Sequence, residues 1–330
     1  MEPPPRRAGG TDSGPARRAR RARLGRRRGA LALVLAGGVL LAVALVGGGS
    51  SHGHAHSTGA DRATHAAAAS GGSASGGRVP IASGSAAGSA EESAQAPQIR
   101  RLIALGRPIY CAARRGNEVA LTFDDGPGPY TRLVIAKLRK HGIRATFFVV
   151  GRNIELVNDP RGSSIVRDER TVGALGDHTF THPLLTSLAA VEAEREIVRT
   201  QAALARVSGG AVFLFRPPYG AHDGRIDSIA RAHGLLEILW NVDSADSLGA
   251  NYAAIERNVI AGLRGGSIIL MHENHGQTVR ALLGIFAALQ RKHLRAVSVP
   301  QLLRDDPPSV AQVRSGGAGC GVSGGLRSGG

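Results

Sequence analysis

Short apolar runs that each stop at a reactive or turn-forming residue organise the middle of this chain. Val119, Ala120, Leu121 and Phe123 lead into Asp124-Asp125-Gly126-Pro127. Phe213-Leu214-Phe215 leads into Arg216-Pro217-Pro218-Tyr219-Gly220, and Ile238-Leu239-Trp240-Asn241-Val242 into Asp243-Ser244-Ala245-Asp246. Ser267-Ile268-Ile269-Leu270-Met271 ends at His272. Apolar runs of this length bounded by turn signals read as buried strands. Strands are predicted near 119–123, 145–150, 174–177, 213–216, 238–242, 267–271 and 295–298. Helical periodicity fills the gaps, over Tyr130–His141, Leu188–Arg206, Gly224–His233, Asn251–Arg264 and Thr278–Lys292. Strands alternating with helices, with chemistry at the strand exits, predict an α/β fold of the (β/α) barrel type.

Two adjacent acids repel unless a cation relieves them or their roles are divided. Asp124-Asp125-Gly126-Pro127 alone could be a solvated turn, so a cation's other ligands decide its meaning. His178-Thr179-Phe180-Thr181-His182 supplies two histidines four apart, a spacing that lets both imidazoles reach one ion. Gly176-Asp177 before them and Pro183 after them place the pair on a strand-exit loop rather than inside a helix. With Asp125 they make a two-histidine, one-carboxylate set that leaves a coordination position open, as catalytic zinc requires. A metal, a base and an acid on separate strand exits are the minimum kit for hydrolysing an amide or ester. Amide cleavage needs the acid in particular, because an amine leaves only once protonated. His272 beside the metal set therefore favours an N-acetyl over an O-acetyl substrate.

Thr122–Pro127, His178–His182, Arg216–Gly220, Trp240–Asp246 and Leu270-Met271-His272 resemble, in order, the five motifs of the polysaccharide deacetylases (NodB homology domain, carbohydrate esterase family 4). The resemblance covers roughly residues 115 to 300. It implies a distorted (β/α) barrel with seven or eight strands. It also implies that Asp125, His178 and His182 hold a divalent metal, zinc or else cobalt or nickel. Asp124 would be the general base, paired with Arg216, which orients it. The backbone N–H of Tyr219 would polarise the acetyl carbonyl, and His272 would be the general acid. Asp246, or failing that Asp243, would orient His272, while Leu270 and Trp240 would wall a pocket for the acetyl methyl. The implied substrate is an acetylated surface polysaccharide. N-acetylglucosamine units of peptidoglycan are the most economical choice; chitin oligomers, exopolysaccharide and O-acetyl xylan share the motifs. A non-catalytic glycan-binding module is the alternative class, although neither Asp124 nor His272 is lost. Two positions depart from the family pattern. Ser247 stands where Trp often follows the fourth motif's second Asp, leaving one groove wall missing or supplied elsewhere. Asp177 stands where Asn commonly precedes the first metal histidine, adding negative charge beside the site. His141, His222, His233, His275 and His293 have no assigned role and read as surface or helix-end residues; His275 stands out because it lies three residues past His272.

The N-terminal half adds topology. Residues 1–28 hold ten Arg against Glu2 and Asp12, half of the chain's net +16. Gly29 to Val46 then runs uncharged and apolar, long enough at ~1.5 Å per residue to give ~27 Å of helix. Segment 1–28 is therefore expected to be cytoplasmic and 29–47 a transmembrane signal anchor, with the rest outside. A cleaved signal, and hence secretion, is the other possibility. Position beside an apolar span makes topology, not nucleic-acid binding, the explanation of the basic stretch. Residues 48–98 are Gly, Ser, Ala and His and read as a disordered linker, with His52, His54 and His56 a weak metal trap at most. The deacetylase-like domain is expected over 99–310, followed by a disordered Gly/Ser-rich tail over 311–330. A monomer is expected. The only cysteines, Cys111 and Cys320, either clamp the domain's ends as a disulfide or remain free thiols.

Overall fold

The computed structural model describes residues 97–156, 160–210 and 212–321. Eight strands form one sheet: β1 (Glu118–Gly126), β2 (Ala145–Val149), β3 (Gly173–Asp177), β4 (Leu214–Phe215), β5 (Leu236–Glu237), β6 (Val242–Asp243), β7 (Ile268–His272) and β8 (Arg295–Val297). Their order is β5-β4-β3-β2-β1-β7-β6, with β8 against the start of β1, and every pair is parallel. The helices are α1 (97–104), α2 (Thr131–Lys140), α3 (Gly151–Leu156), α4 (Pro160–Val172), α5 (Ala190–Ser208), α6 (Gly224–Ala232), α7 (Tyr252–Gly262), α8 (Gly276–Arg291), α9 (Val299–Asp305) and α10 (Val310–Arg314). Parallel strands need such crossovers, and the crossovers cover the sheet. The result is the distorted, curled (β/α) barrel that the alternation predicts.

Period-two alternation along β1 assigns the two faces. Val119, Leu121 and Phe123 pack with Val134 and Leu138 of α2, Ile255 and Val259 of α7, and Leu282 and Ile285 of α8. Ala120 instead joins Phe148, Leu214, Ile268, Leu270 and Val297, an inner core shared with α1 and α9. Thr122 and Asp124 lie on the Ala120 face, so they emerge from the inner core at the strands' C-terminal ends. There Asp124 is the register partner of His272 on β7.

Three departures from the sequence expectations have physical causes. The strand expected over 238–242 is split into β5 and β6, because the intervening backbone is used elsewhere. Ile238 N–H donates to Phe215, Leu239 N–H to Ile109, and both their carbonyls accept from Arg216. The residues just ahead of β1 bridge the break: Ile109 pairs with Ile238 and Cys111 with Ser267. Helices α3 and α4 replace an unassigned stretch whose polar sequence carries little periodicity. Finally, the tail is ordered as far as Cys320, through α10 and a 3₁₀ turn over Gly316–Cys320. The Cys111–Cys320 disulfide (Cα–Cα 5.8 Å) holds it there. Gln312 also donates to the Ala112 carbonyl, and Arg264 to that of Cys320. The basic segment, the anchor and nearly all of the linker lie outside the described residues. Among the described residues no helix is long and apolar enough to cross a membrane.

A disulfide closing a loop of 209 residues stabilises by about 5 kcal/mol in the chain-entropy view, and native bridges typically contribute roughly 2–5. Cys320→Ser is therefore expected to lower Tm by about 5–15 °C in non-reducing thermal unfolding. A Tm within a degree of the parent would show that the bridge carries no stability.

Candidate active site

The functional side chains gather at the strand exits, and left-handed backbone aims several of them. In β1 the pairing with β2 slips between Asp124 and Gly126, so Asp125 is a bulge residue whose side chain leaves the ladder's alternation. Asp125, Thr179, His182, Tyr219 and Ala245 have positive φ, five of the seven such non-glycine residues among those described. Conformations of that kind cost about 1–3 kcal/mol each and collect where function requires them.

The Asp125, His178 and His182 ligand atoms lie within 4.8 Å of one another. Asp125 Oδ1 is 3.2 Å from His182 Nε2 and 3.6 Å from His178 Nε2, close to the roughly 3–3.5 Å between donors that share one ion at ~2.0–2.2 Å. Asp125 Oδ1 is buried and has no hydrogen-bond partner, an orphan acceptor that a cation satisfies. Its Oδ2 accepts from Asn274 Nδ2 at 3.3 Å. His178 Nδ1–H donates to the Arg216 carbonyl at 2.7 Å, which fixes the tautomer and leaves Nε2 free as a donor atom. Burial, then the neighbouring His178, lowers the His182 pKa and keeps the imidazole neutral. The residues present thus fit a divalent metal.

Asp124 is buried beside this set, its Oδ2 3.7 Å from His178 Nε2. Its Oδ1 accepts from Arg216 at 2.7 Å. Arg216 is wholly buried. It also donates to Thr122 Oγ1 and to the carbonyls of Ile238 and Leu239, with its guanidinium over the Phe148 ring. The Arg216–Gly220 turn that follows presses on Trp240: a Cβ at Gly220 would come within 2.7 Å of the indole, and its φ of +66° also requires glycine. Tyr219 is exposed, its ring edge-on to His182 at 4.8 Å. Trp240 and Leu270 lie together, nearly buried, in the inner core at the mouth.

His272 Nδ1 is 2.7 Å from Asp246 Oδ1. The Asp246 carboxylate also accepts from the backbone N–H groups of His272 and Ser247 and from the Thr278 hydroxyl. Burial opposes charge on His272, but the Asp246 hydrogen bond and the charges of Asp124, Asp246 and Asp125 outweigh it and raise the pKa to about 9. Asp243 does not reach His272. It is exposed, and its carboxylate closes the turn onto the Ala245 N–H. Asp177 also departs from expectation, since burial raises its pKa to about 8 and leaves it mainly neutral at pH 7. Its two oxygens accept from Thr179 N–H and from Gln201 Nε2, hydrogen bonds that offset part of the burial. His275 stacks edge-on to His272 at 5.8 Å between centroids. Leu248, next to Ser247, is 83% exposed at the rim.

Sequence reasoning missed Asn274, Thr278 and Gln201. Their only signal is nearness to a motif residue along the chain or on the next helix. It also missed Glu273 and Glu169, two fully buried acids behind β1. Glu273 occupies the space a Cβ at Gly126 would take, which explains the glycine of the Asp-Asp-Gly-Pro turn.

A parallel barrel carrying an ion-ready ligand set, an Arg-held carboxylate and a carboxylate-held histidine defines a hydrolase of the glycan-deacetylating kind. The chain belongs to the polysaccharide deacetylase family, carbohydrate esterase family 4, and is a deacetylase. The polysaccharide deacetylase family model matches residues 112–238. A peptidoglycan-N-acetylglucosamine deacetylase of Bacillus cereus is 34% identical over 193 residues, 57% of this chain and 68% of that protein. The peptidoglycan-N-acetylglucosamine deacetylase PgdA of Listeria monocytogenes is 33% identical, and the match spans 58% of this chain but 40% of that longer protein. The family 4 carbohydrate esterase of Streptomyces lividans, solved with acetate, superposes with a TM-score of 0.53 at 37% identity, covering 56% of this chain and 95% of that one.

In the metal-free protein, Asp246→Asn is expected to bring the His272 pKa from about 9 to 7 or below, read by NMR titration of the ring. The folded value exceeds the unfolded one, so the pair's stabilisation, about 3 kcal/mol, is complete below pH ~6.5 and lost as pH rises through ~9. The variant should lack that decline. An unmoved pKa would remove Asp246 from the role.

Proposed function

We propose that this chain is a divalent-metal, most simply zinc, deacetylase that removes N-acetyl groups from N-acetylglucosamine units of a cell-surface polysaccharide, with peptidoglycan the preferred polymer. The observation that carries the N-acetyl reading is the 2.7 Å His272–Asp246 hydrogen bond, with a His272 pKa raised to about 9. The Asp246 hydrogen bond favours the protonated imidazole, which stands across from the base on the neighbouring strand. A departing amine needs such a donor, whereas an alcohol leaving from an O-acetyl ester needs it less. Peptidoglycan is supported by the activity named for the Bacillus cereus and Listeria monocytogenes relatives.

Asp125, His178 and His182 would hold the metal, which when bound supplies Lewis-acid polarisation of the acetyl carbonyl and a lowered pKa for the attacking water. Asp124, paired with and aimed by Arg216, takes the proton from that water. Tyr219 offers its backbone N–H to the carbonyl oxygen as negative charge develops there. His272 hands its proton to the sugar nitrogen as the carbon–nitrogen bond breaks, so acetic acid and a free amine result. Trp240 and Leu270 receive the methyl group. We place the enzyme as a monomer at the outer face of the cell membrane, tethered through the apolar 29–47 segment.

Acetate release from peptidoglycan and from an N-acetylglucosamine oligomer tests this reading, measured after chelation and again after zinc is restored. Activity is expected to vanish and return. Asp124→Asn should keep its zinc and lose activity by roughly 10²–10⁴-fold, the usual contribution of a general base. Zinc-loaded protein that releases no acetate from either polymer would overturn the proposal, and an active Asp124→Asn would overturn the base.

A further inference from the structure

A second group of potential ligands lies away from the strand-exit site, and the reaction uses none of them. His222 follows the Arg216–Gly220 turn, Asp227 lies in α6, and Glu237 ends β5. Leu236 and Ile238 on either side of Glu237 belong to the inner core, so Glu237 faces the opposite way, toward α6. The three ligand atoms lie within 4.8 Å of one another. His222 Nδ1 and Asp227 Oδ1 share a hydrogen bond at 2.9 Å, and Glu237 Oε1 lies 3.8 Å from the same nitrogen.

Glu237 is the informative member. Its side chain is 4% exposed, and its carboxylate receives no N–H or hydroxyl donor; its hydrogen-bonding neighbour is the Asp227 carboxyl. An ionised carboxylate in that state is costly, and a second carboxylate beside it makes matters worse, so a proton or a cation must neutralise the pair. A cavity of about 10 Å³ bordered by Asp227 and Glu237, though not by His222, has room for about one water. Arg107 and Arg231 border the same cavity, yet neither donates to Glu237. His222 is also set up as a ligand. Its Nε2 is 3.3 Å from the Tyr110 hydroxyl, so a proton held there leaves the Nδ1 lone pair facing both carboxylates. Metal-binding histidines are commonly fixed in this way through their other nitrogen.

We propose that His222, Asp227 and Glu237 form a second divalent-cation site, one nitrogen and two oxygen donors suited to zinc or another first-row transition ion. Its effect is to brace the active site from behind. His222 is three residues from Tyr219, and Glu237 immediately precedes Ile238, whose carbonyl accepts from Arg216. A cation there ties the turn that presents Tyr219 to the strand segment that holds Arg216.

The test counts zinc and needs no substrate, so it stands whatever the enzyme deacetylates. Full-length His178→Ala/His182→Ala protein, lacking the first site, is dialysed against micromolar zinc and compared with the same protein carrying Glu237→Gln. The histidine tract at 52–56 is common to both and cancels. One zinc per chain is expected to separate them, with zinc raising Tm in the first and not in the second. Equal zinc content, or no zinc-dependent rise in the first, would overturn the site. If Glu237→Gln does not fold, the half-buried His222→Gln gives the same comparison under the same criteria.

Discussion

Arg216 is the member on which the rest of the site leans. A guanidinium with no exposed surface sits inside the barrel, and every group it touches is thereby fixed. It neutralises Asp124 on β1, takes up Thr122 one turn of the pleat below, and draws in the carbonyls of Ile238 and Leu239. Its own carbonyl receives the His178 proton. One residue thus positions the carboxylate, sets the tautomer of a ligand histidine and interrupts the sheet between β5 and β6. Removing one member of a buried pair of this kind typically costs 3–5 kcal/mol, since the partner charge is left unmatched. The aromatic faces of Phe148 and Trp240 complete its shell, which a lysine's point charge could not exploit in the same way.

Around that hub the fold separates titrating groups by environment. Burial and a neighbouring imidazole push His182 toward its neutral, ligand form, whereas Asp246 and the surrounding acids push His272 toward its charged, donor form. Two histidines of identical intrinsic chemistry are thereby given opposite tasks. The parallel sheet makes this possible because all its exits open on one rim, so groups far apart in sequence converge without long loops.

The sequence made legible what lies in contiguous motifs at strand ends. Asp124, Asp125, His178, His182, Arg216 and His272 could be read because turn residues mark where each strand stops. Choices decided by a single backbone angle could not be read. Asp243 and Asp246 are three residues apart, and the left-handed Ala245 between them sends one carboxylate outward and the other to His272. Burial was equally opaque. Asp177 looks like an added charge in the chain, yet the interior keeps it mainly protonated. The seam filled by Ile109–Cys111 depends on pairing across more than a hundred residues, which no local pattern encodes. The glycine-rich composition of the tail concealed a segment held by a disulfide, by hydrogen bonds of Gln312 and Arg264, and by Val313 in the inner core.

That disulfide also decides how the barrel bears mechanical load. The chain enters through α1 and supplies the seam at Ile109 before any strand begins, so tension on the upstream end would first peel α1 and then Ile109 from the barrel wall. At Cys111 the peeling halts, because the bond to Cys320 passes the strain to α10 and the chain's far end. A pull applied ahead of α1 would thereby load the domain in shear across its body and would not unzip it from its first strand.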